Sequence, residues 1–439
     1  MPSRRQFLRA VSAASVVAPY FWIPTRAQTQ TVRHASVGAG GQALSDIDAF
    51  ARHPAFELVA VADVDLCRLD RILGRFPKAH VYQDWRELLK NESGRLDSVN
   101  VSTPDHMHAL QALEAMRHGK HVYVQKPLAN TLRETRALTE YARKARVISQ
   151  MGIQVSSSEP QRHGEWLIRS GVVGKIREVH TFSNKNWGDD KPLPDGVDQV
   201  PPTLDWDHWL GVNGSRPFKR NIYHPGEWRR RIGFGTGTLG DMGCHIYSPP
   251  YRALKLTAPV TVTSHGPTPS AQSWAIRAKV HLVYPGTEYT AGPQIDVWWY
   301  DGGELPPDDL RAQVGTRMPE QGSLVVGSDG ILVLPHGGAP FALPDSKMAA
   351  IQKPELAPRD HYGEFLDAVL AGQGATCSAG FDYSGPLTES VLIGNVAAHY
   401  PGEPLRFDAA RLAFSARADA NRHLTRSYRK GWKPKGVTL

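Results

Sequence analysis

Asp241 and His245 stand four residues apart in GDMGCHIYSPP, residues 240–250. Four residues is one helical turn, so on a helix both side chains project from one face. A carboxylate and an imidazole held this way can orient and move a proton, which is what general acid–base chemistry requires. The same spacing also suits a satisfied polar pair in a packed core. The preceding FGTGTLG is too rich in glycine for ordinary core, and Pro249–Pro250 must end or kink the turn. A second candidate is Lys126 in GKHVYVQKPLANT, directly after a strand-like run and before Pro127. Its apolar neighbours Val122, Val124 and Leu128 argue against a plain surface turn. His106 and His108 in TPDHMHA have metal-ligand types, but no further ligand clusters with them. Cys67, Cys244 and Cys377 are too few and too scattered for a zinc site or a disulfide framework. No metal is expected.

The elements that must position these groups begin at TVRHASVGAGGQA, a short strand running into a glycine turn. Gly38, Gly40 and Ala43 fit G-x-G-x-x-G/A, with Gly41 beside them. Such a turn lets the backbone approach a pyrophosphate and offers it the amides of the next helix. A second strand, FELVAVADVD, ends at Asp63. A carboxylate there accepts hydrogen bonds from ribose hydroxyls and repels a 2′-phosphate, which favours NAD; Arg68 nearby leaves NADP open. Strands and helices alternate onward through LDSVNVSTPDHMHA, so residues 32–155 are expected to form a doubly wound, parallel Rossmann sheet of α/β class. Ligands bind at the carboxyl ends of such strands. That places Thr103, Pro104, His106, His108, Gln125 and Lys126 on the cofactor side.

From residue 156 to 439 the pattern changes to strand-like runs joined by turns, including WAIRAKVHLVY, QIDVWWYD and GSLVVGSDGILVLP. They predict an α+β domain with an open, mainly antiparallel sheet that binds substrate. A long loop-rich stretch, residues 184–234, carries Asn184, Lys185, Trp187, Trp206, Trp209, Tyr223, Trp228 and Arg229 to Arg231. Planar aromatics beside amide and cationic donors suit a sugar, with Trp187, Tyr223, Trp228 and Arg229 as its candidate contacts. Aromatics also serve simply to anchor long loops.

The 439 residues suffice for two domains, and 41% apolar with 21% charged residues is ordinary for a globular protein. The net charge of +8 includes Arg4, Arg5, Arg9 and Arg26; without the first 27 residues it falls to +4. No basic run is interleaved with aromatics, which argues against nucleic-acid binding. Residues 1–27, with Ser-Arg-Arg-Gln-Phe-Leu and an apolar run broken by Pro19 and Pro24, are too interrupted for a stable membrane span. They resemble a twin-arginine export signal cleaved near Ala27. The export machinery would then be a partner, and the mature protein periplasmic or otherwise exported.

The ordered set VGAGGQA, AVADVD, STPDHMHA, VQKPLA and GTLGDMGCHI, followed by DYSGPLTE and YRKGW, resembles the Gfo/Idh/MocA family of glucose–fructose oxidoreductase and inositol dehydrogenase. The resemblance implies that Lys126, of an E-K-P motif, lies beside the reacting substrate carbon, and that Asp241 and His245 of a D-x-x-x-H helix complete the site. It also implies an oligomer, dimer or tetramer, built through the second sheet. One departure is Gln125, where the family usually has glutamate. The expected activity is NAD(P)-dependent oxidation of a secondary alcohol of a sugar, polyol or glycoside, with tightly held cofactor. Either His245, oriented by Asp241, or Lys126 is the base. The alternative is a redox-neutral NAD-dependent glycosidase or lyase working through a transient keto-sugar, although the Tyr-Pro-Thr-His stretch of such glycosidases is absent.

Overall fold

Short apolar runs in the first third of the chain become strands covered on both faces, as parallel sheets require. In the computed structural model, which describes residues 30–349 and 351–439, these are β1 (Val32–Val37), β2 (Phe56–Ala62), β3 (His80–Tyr82), β4 (Ser98–Val101), β5 (His121–Gln125) and β6 (Ser149–Gly152). The export signal expected at residues 1–27 lies outside the described residues. The six strands are all parallel, in the order β3-β2-β1-β4-β5-β6. Strand order reverses between β1 and β4, which opens a crevice at their carboxyl ends.

The second sheet has nine strands: β7 (Ile176–Ser183), β8 (Thr261–Ser264), β9 (Ala278–Pro285), β10 (Gln294–Asp301), β11 (Gln321–Gly327), β12 (Ile331–Pro335), β13 (Phe341–Leu343), β14 (Leu405–Asp408) and β15 (Ala413–Phe414). Their order is β13-β12-β11-β7-β10-β9-β8-β14-β15. Only β7 and β10 pair in parallel, so the sheet is mixed and mainly antiparallel, as the sequence predicts. Along β9 and β10 buried and half-buried residues alternate, which leaves one face packed and the other more open.

Helix Phe381–Ala397 joins the two parts by packing on both Leu132–Ala145 and Gly237–Ala253. The approach is close: a β-carbon on Gly243 would stand 2.8 Å from Val391 Cγ1. Glycine at this position therefore sets how near the helix carrying Asp241 and His245 comes to the rest of the core. Both prolines lie inside that helix, which continues to Ala253 rather than ending at Pro249. Among the described residues, no helix is long and apolar enough to cross a membrane.

The boundary near residue 155 divides the sequence but not the core. Helix His361–Ala371 returns to the first sheet, where Tyr362, Phe365 and Leu366 pack with Val32, Phe50, Tyr123 and Ile148. Tyr362 also donates to the buried carboxylate of Asp46 at 2.8 Å, beside donors from Gln42, Ser102 and Gln125. Burial pushes the Asp46 carboxyl above its ordinary pKa, against the pull of these donors. Tyr362→Phe should cost about 1–3 kcal/mol by leaving that carboxylate short of a partner. Urea unfolding is expected to show a lower midpoint at unchanged slope; an unchanged midpoint would remove the hydrogen bond from the account of this core.

Candidate active site

Lys126 leaves the end of β5 and meets the helix Gly237–Ala253 across 115 residues of sequence. Its Nζ donates to Asp241 Oδ1 at 2.6 Å and to the Asp241 carbonyl oxygen at 2.8 Å. Trp187 Nε1 donates to Asp241 Oδ2 at 2.8 Å, and Arg229 Nε and Lys185 Nζ stand 3.5 and 3.6 Å from the same carboxylate. Burial alone would push this carboxyl up. The charges of Lys126, Arg229 and Lys185, with the Lys126 hydrogen bond, instead hold it well below the usual carboxylate range. The start of the helix is fixed from both sides: Asn395 donates to the Thr236 carbonyl at 2.8 Å, and the Thr236 hydroxyl donates to Asp105 at 2.7 Å.

His245 follows one turn later, buried on the same helix. Its ring faces His336, just past β12, at 5.5 Å between centroids. Its Nδ1 has no hydrogen-bond partner among the described residues. The expectation that Asp241 orients His245 is therefore corrected: both carboxylate oxygens are taken by Lys126 and Trp187. A full positive charge outcompetes a neutral imidazole for a buried carboxylate. Burial, then the charge of Lys126 and the presence of His336, push the His245 imidazole well below its ordinary pKa. It is neutral at pH 7.

A cleft of about 460 Å³ lies at the crevice of the first sheet. Gly38 (φ 108°) and Gly41 (φ 55°) take conformations that favour glycine. A β-carbon at Gly38 would come within 2.6 Å of the Ser102 carbonyl oxygen and 3.0 Å of Ala43 Cβ, and one at Gly40 would run into Arg68. Asp63 accepts from the backbone amides of Ala39 at 2.9 Å and Asp65 at 3.0 Å, which positions its carboxylate at the cleft wall. Thr103 and Pro104 line the cleft as well. This cradle of bare backbone with a ribose-binding carboxylate fits a dinucleotide: the turn at Gly38–Gly41 would hold the pyrophosphate, and Asp63 the adenosine ribose.

The opposite wall comes from the 184–234 stretch, which crosses onto the first domain as a strap. Leu66 N donates to the Thr203 carbonyl at 3.0 Å, and Asp205 N to that of Val64 at 2.8 Å. His224 Nε2 lies 3.0 Å from Asp65 Oδ2, and the Thr203 hydroxyl donates to Asp65 Oδ1 at 2.7 Å. His224, Trp228 and Arg229 then face the glycine turn across the cleft. Trp187 stays at the Lys126–Asp241 pair, and Trp228 belongs to the cleft wall. Tyr223 is a different case. It packs with Trp206, Trp209 and Phe234, so its ring anchors the strap and does not line the cleft.

His106 and His108 are likewise corrected. They do not line the cleft but brace it from behind. His106 Nε2 lies 3.0 Å from the Trp209 carbonyl oxygen, and His108 spans those of Pro127 (2.9 Å) and Thr103 (2.8 Å). Gln125 also points inward, and its Nε2 donates to both oxygens of Asp46, at 3.1 and 2.9 Å. A glutamate there would set two buried carboxylates against each other, so an uncharged donor fits this position. Residues missed from sequence include Gln83, Trp85, Gln111 and His224 in the cleft and His336 opposite His245. His336 sits in LPHGG, a turn with no motif to mark it.

Residues 32–153 match the family model described as oxidoreductase family, NAD-binding Rossmann fold, and residues 167–292 match that of the family's C-terminal alpha/beta domain. Among curated proteins, a 1-carboxy-3-chloro-3,4-dihydroxycyclohexa-1,5-diene dehydrogenase of Comamonas testosteroni is 32% identical over 147 residues, covering 34% of this chain and 36% of its own. A glycosyl hydrolase family 109 protein 1 of Shewanella sp. (strain ANA-3) is 30% identical over 156 residues, 34% of each chain. The matched part is thus about a third of the length of these relatives. Among solved structures, the WlbA dehydrogenase from Bordetella pertussis, in complex with NADH and UDP-GlcNAcA, aligns at a TM-score of 0.59 with 15% identity. That alignment covers 86% of this chain and 99% of the other. It shows a shared fold.

The Gln125 geometry has a pH signature. Asp46 is already pushed up by burial, and a second carboxyl beside it would make the pair hold a proton more tightly folded than unfolded. Stability of Gln125→Glu is then present in acid and lost as pH rises through the folded-state pKa. Unfolding midpoints relative to the parent should fall more at about pH 8 than at about pH 5. A deficit independent of pH would assign the effect to packing alone.

Proposed function

Because this chain belongs to the Gfo/Idh/MocA oxidoreductase family, we propose that it is an NAD-dependent dehydrogenase acting on a secondary alcohol of a sugar, polyol or glycoside. The observation that carries the reading is that one helix brings opposite proton-handling groups together, His245 on the helix itself and Lys126 held to it through Asp241. Lys126 is a charged donor held by Asp241, and His245 is a neutral imidazole whose buried Nδ1 has no partner among the described residues. When bound, the nicotinamide takes up or returns the hydride. Lys126 Nζ donates a hydrogen bond to the substrate oxygen and stabilises negative charge developing on it. His245 Nδ1 accepts the hydroxyl proton and returns it in the reverse direction. Of the two candidate bases this favours His245, because the ammonium of Lys126 is already committed as a donor.

The strap over the cleft supports a tightly held cofactor. The Asp65–His224 and Asp65–Thr203 contacts and the backbone bonds beside them hold the strap against the first domain, next to the site of the dinucleotide. Such retention suits a protein that folds before export and then works where free NAD is scarce, consistent with the twin-arginine reading of residues 1–27. The more open face of the second sheet, where His281 stacks on Trp298 at 4.1 Å, is the proposed oligomer contact. The 30% identity to a glycosyl hydrolase family 109 protein supports the second reading, a redox-neutral elimination or hydrolysis. Product analysis separates the two: net oxidation supports the first, a cleaved glycoside at constant NAD the second.

Lys126→Met and His245→Ala should each lower turnover by about 10²–10⁴-fold, the usual worth of a positioned proton-transfer group. Near-normal turnover in either variant would return that residue to a structural role. Protein purified without added nucleotide is expected to release NAD(H) on denaturation, in preference to NADP(H), and Asp63→Ala should weaken that preference. An empty protein that works only with a continuous supply of soluble NAD would overturn the held-cofactor reading.

A further inference from the structure

Two cations at the site have no anion of their own. Arg230 pairs with Glu227 at 2.6 Å, Arg231 with Asp189 at 2.8 Å, and Lys126 with Asp241 at 2.6 Å. Among the described residues, the one carboxylate that Lys185 and Arg229 reach is Asp241, at 3.6 and 3.5 Å, where Lys126 and Trp187 already occupy the two oxygens. Three positive side chains thus share one negative charge. Both unmatched side chains remain accessible, Lys185 at 43% and Arg229 at 28% of their surface. Arg229 is not free to swing into solvent, since its guanidinium lies over the rings of Trp228 at 4.3 Å and Trp187 at 5.3 Å. Asp105 offers little compensation. It sits behind Thr236, and burial pushes its carboxyl up to about 7.

Like charges gathered on one carboxylate, beside the indole rings of Trp187 and Trp228, repel one another and favour an anion more than they would in open water. An oxidised nicotinamide beside Lys126 would add to the excess. Arg229 borders the cofactor cleft and could also face the pyrophosphate, but Lys185 does not line that cleft. The donor types suit a carboxylate: a planar guanidinium and a flexible-stemmed ammonium both approach the Asp241 carboxylate, next to Lys126. His245 and His336, each with an Nδ1 unpartnered among the described residues, remain as candidate partners for hydroxyls.

We propose that the substrate is a sugar acid or polyhydroxy acid, whose carboxylate is bound between Arg229 and Lys185 while a neighbouring hydroxyl reaches Lys126 and His245. This rests on the dehydrogenase reading above and specifies its substrate class.

The test is calorimetric binding to the full chain saturated with NADH, where oxidation cannot proceed. The probes are glucuronate and gluconate, their neutral counterparts glucose, glucitol and the methyl ester of glucuronate, and glucose 6-phosphate. At least one acid should bind about tenfold or more tightly than its neutral counterpart, the size expected of a charge-assisted hydrogen bond. Lys185→Met and Arg229→Met should each reduce that preference to within about threefold, and Lys185→Arg should retain it. Equal binding of acid and methyl ester, failure of every acid to bind, or an equal loss of acid and neutral probes in the variants would overturn the inference. Tighter binding of the phosphate ester than of both acids would show a phosphate site instead and overturn it too. The underlying reading fails separately: an enzyme indifferent to acids that still reduces NAD with neutral polyols refutes only the substrate class. A protein without nucleotide that oxidises neither class refutes the dehydrogenase itself.

Discussion

The Lys126–Asp241 ion pair is the contact around which the rest of the site is arranged. It links the end of β5 in the first domain to the helix Gly237–Ala253 in the second, and both partners are largely buried. Buried charges survive only when compensated, and losing one partner of such a pair typically costs several kcal/mol. Neither domain can supply the pair alone. The site therefore exists only when the two sheets are docked, and the docking depends on the close approach of helices at Gly243. Asp241 also gathers Trp187, Lys185 and Arg229 from the strap, so one carboxylate ties three segments together.

Beneath this pair lies a second buried carboxylate, Asp46, with a contrasting solution. Asp46 is satisfied by neutral donors, from Gln42, Ser102, Gln125 and Tyr362, and has no cation against it. The two solutions lie on adjacent residues of one strand end: Gln125 serves Asp46 and Lys126 serves Asp241. Gln125 ends the strand and turns inward, whereas Lys126, one residue past it, reaches across to the helix, which keeps the structural amide and the reactive ammonium apart. An uncharged residue at 125 thus fits the core below without altering the partner of Lys126.

The strap shows how a long connection can be ordered with little regular structure, here one short helix, Trp206–Leu210, and a single 3-10 turn, Glu227–Arg230. Trp206, Trp209, Tyr223 and Phe234 build a small core of their own, and backbone bonds to Val64 and Leu66 stitch it to the first sheet. Aromatic packing supplies the burial, and Asp65 supplies the polar anchor through Thr203 and His224. The result is a cleft whose floor belongs to one domain and whose roof belongs to the other.

Much of this was legible in the chain itself. The glycine turn at residues 38–41, the strand ending at Asp63 and the strand–helix alternation define the Rossmann half, because local backbone needs and hydrophobic period leave a mark in sequence. The four-residue spacing of Asp241 and His245 likewise placed both on one helix, and Lys126 at a strand end. Who partners whom was not legible. Spacing suggested that Asp241 serves His245, whereas the fold brings a lysine from 115 residues away and the stronger charge takes the carboxylate. The same holds for Tyr223, His106 and His108, whose residue types suit ligand contact but whose neighbours bury them. His336 and Tyr362 carried no signal at all. Sequence records what a residue's own backbone and period demand; electrostatic pairing and burial depend on distance in space, which only the docked sheets and the strap decide.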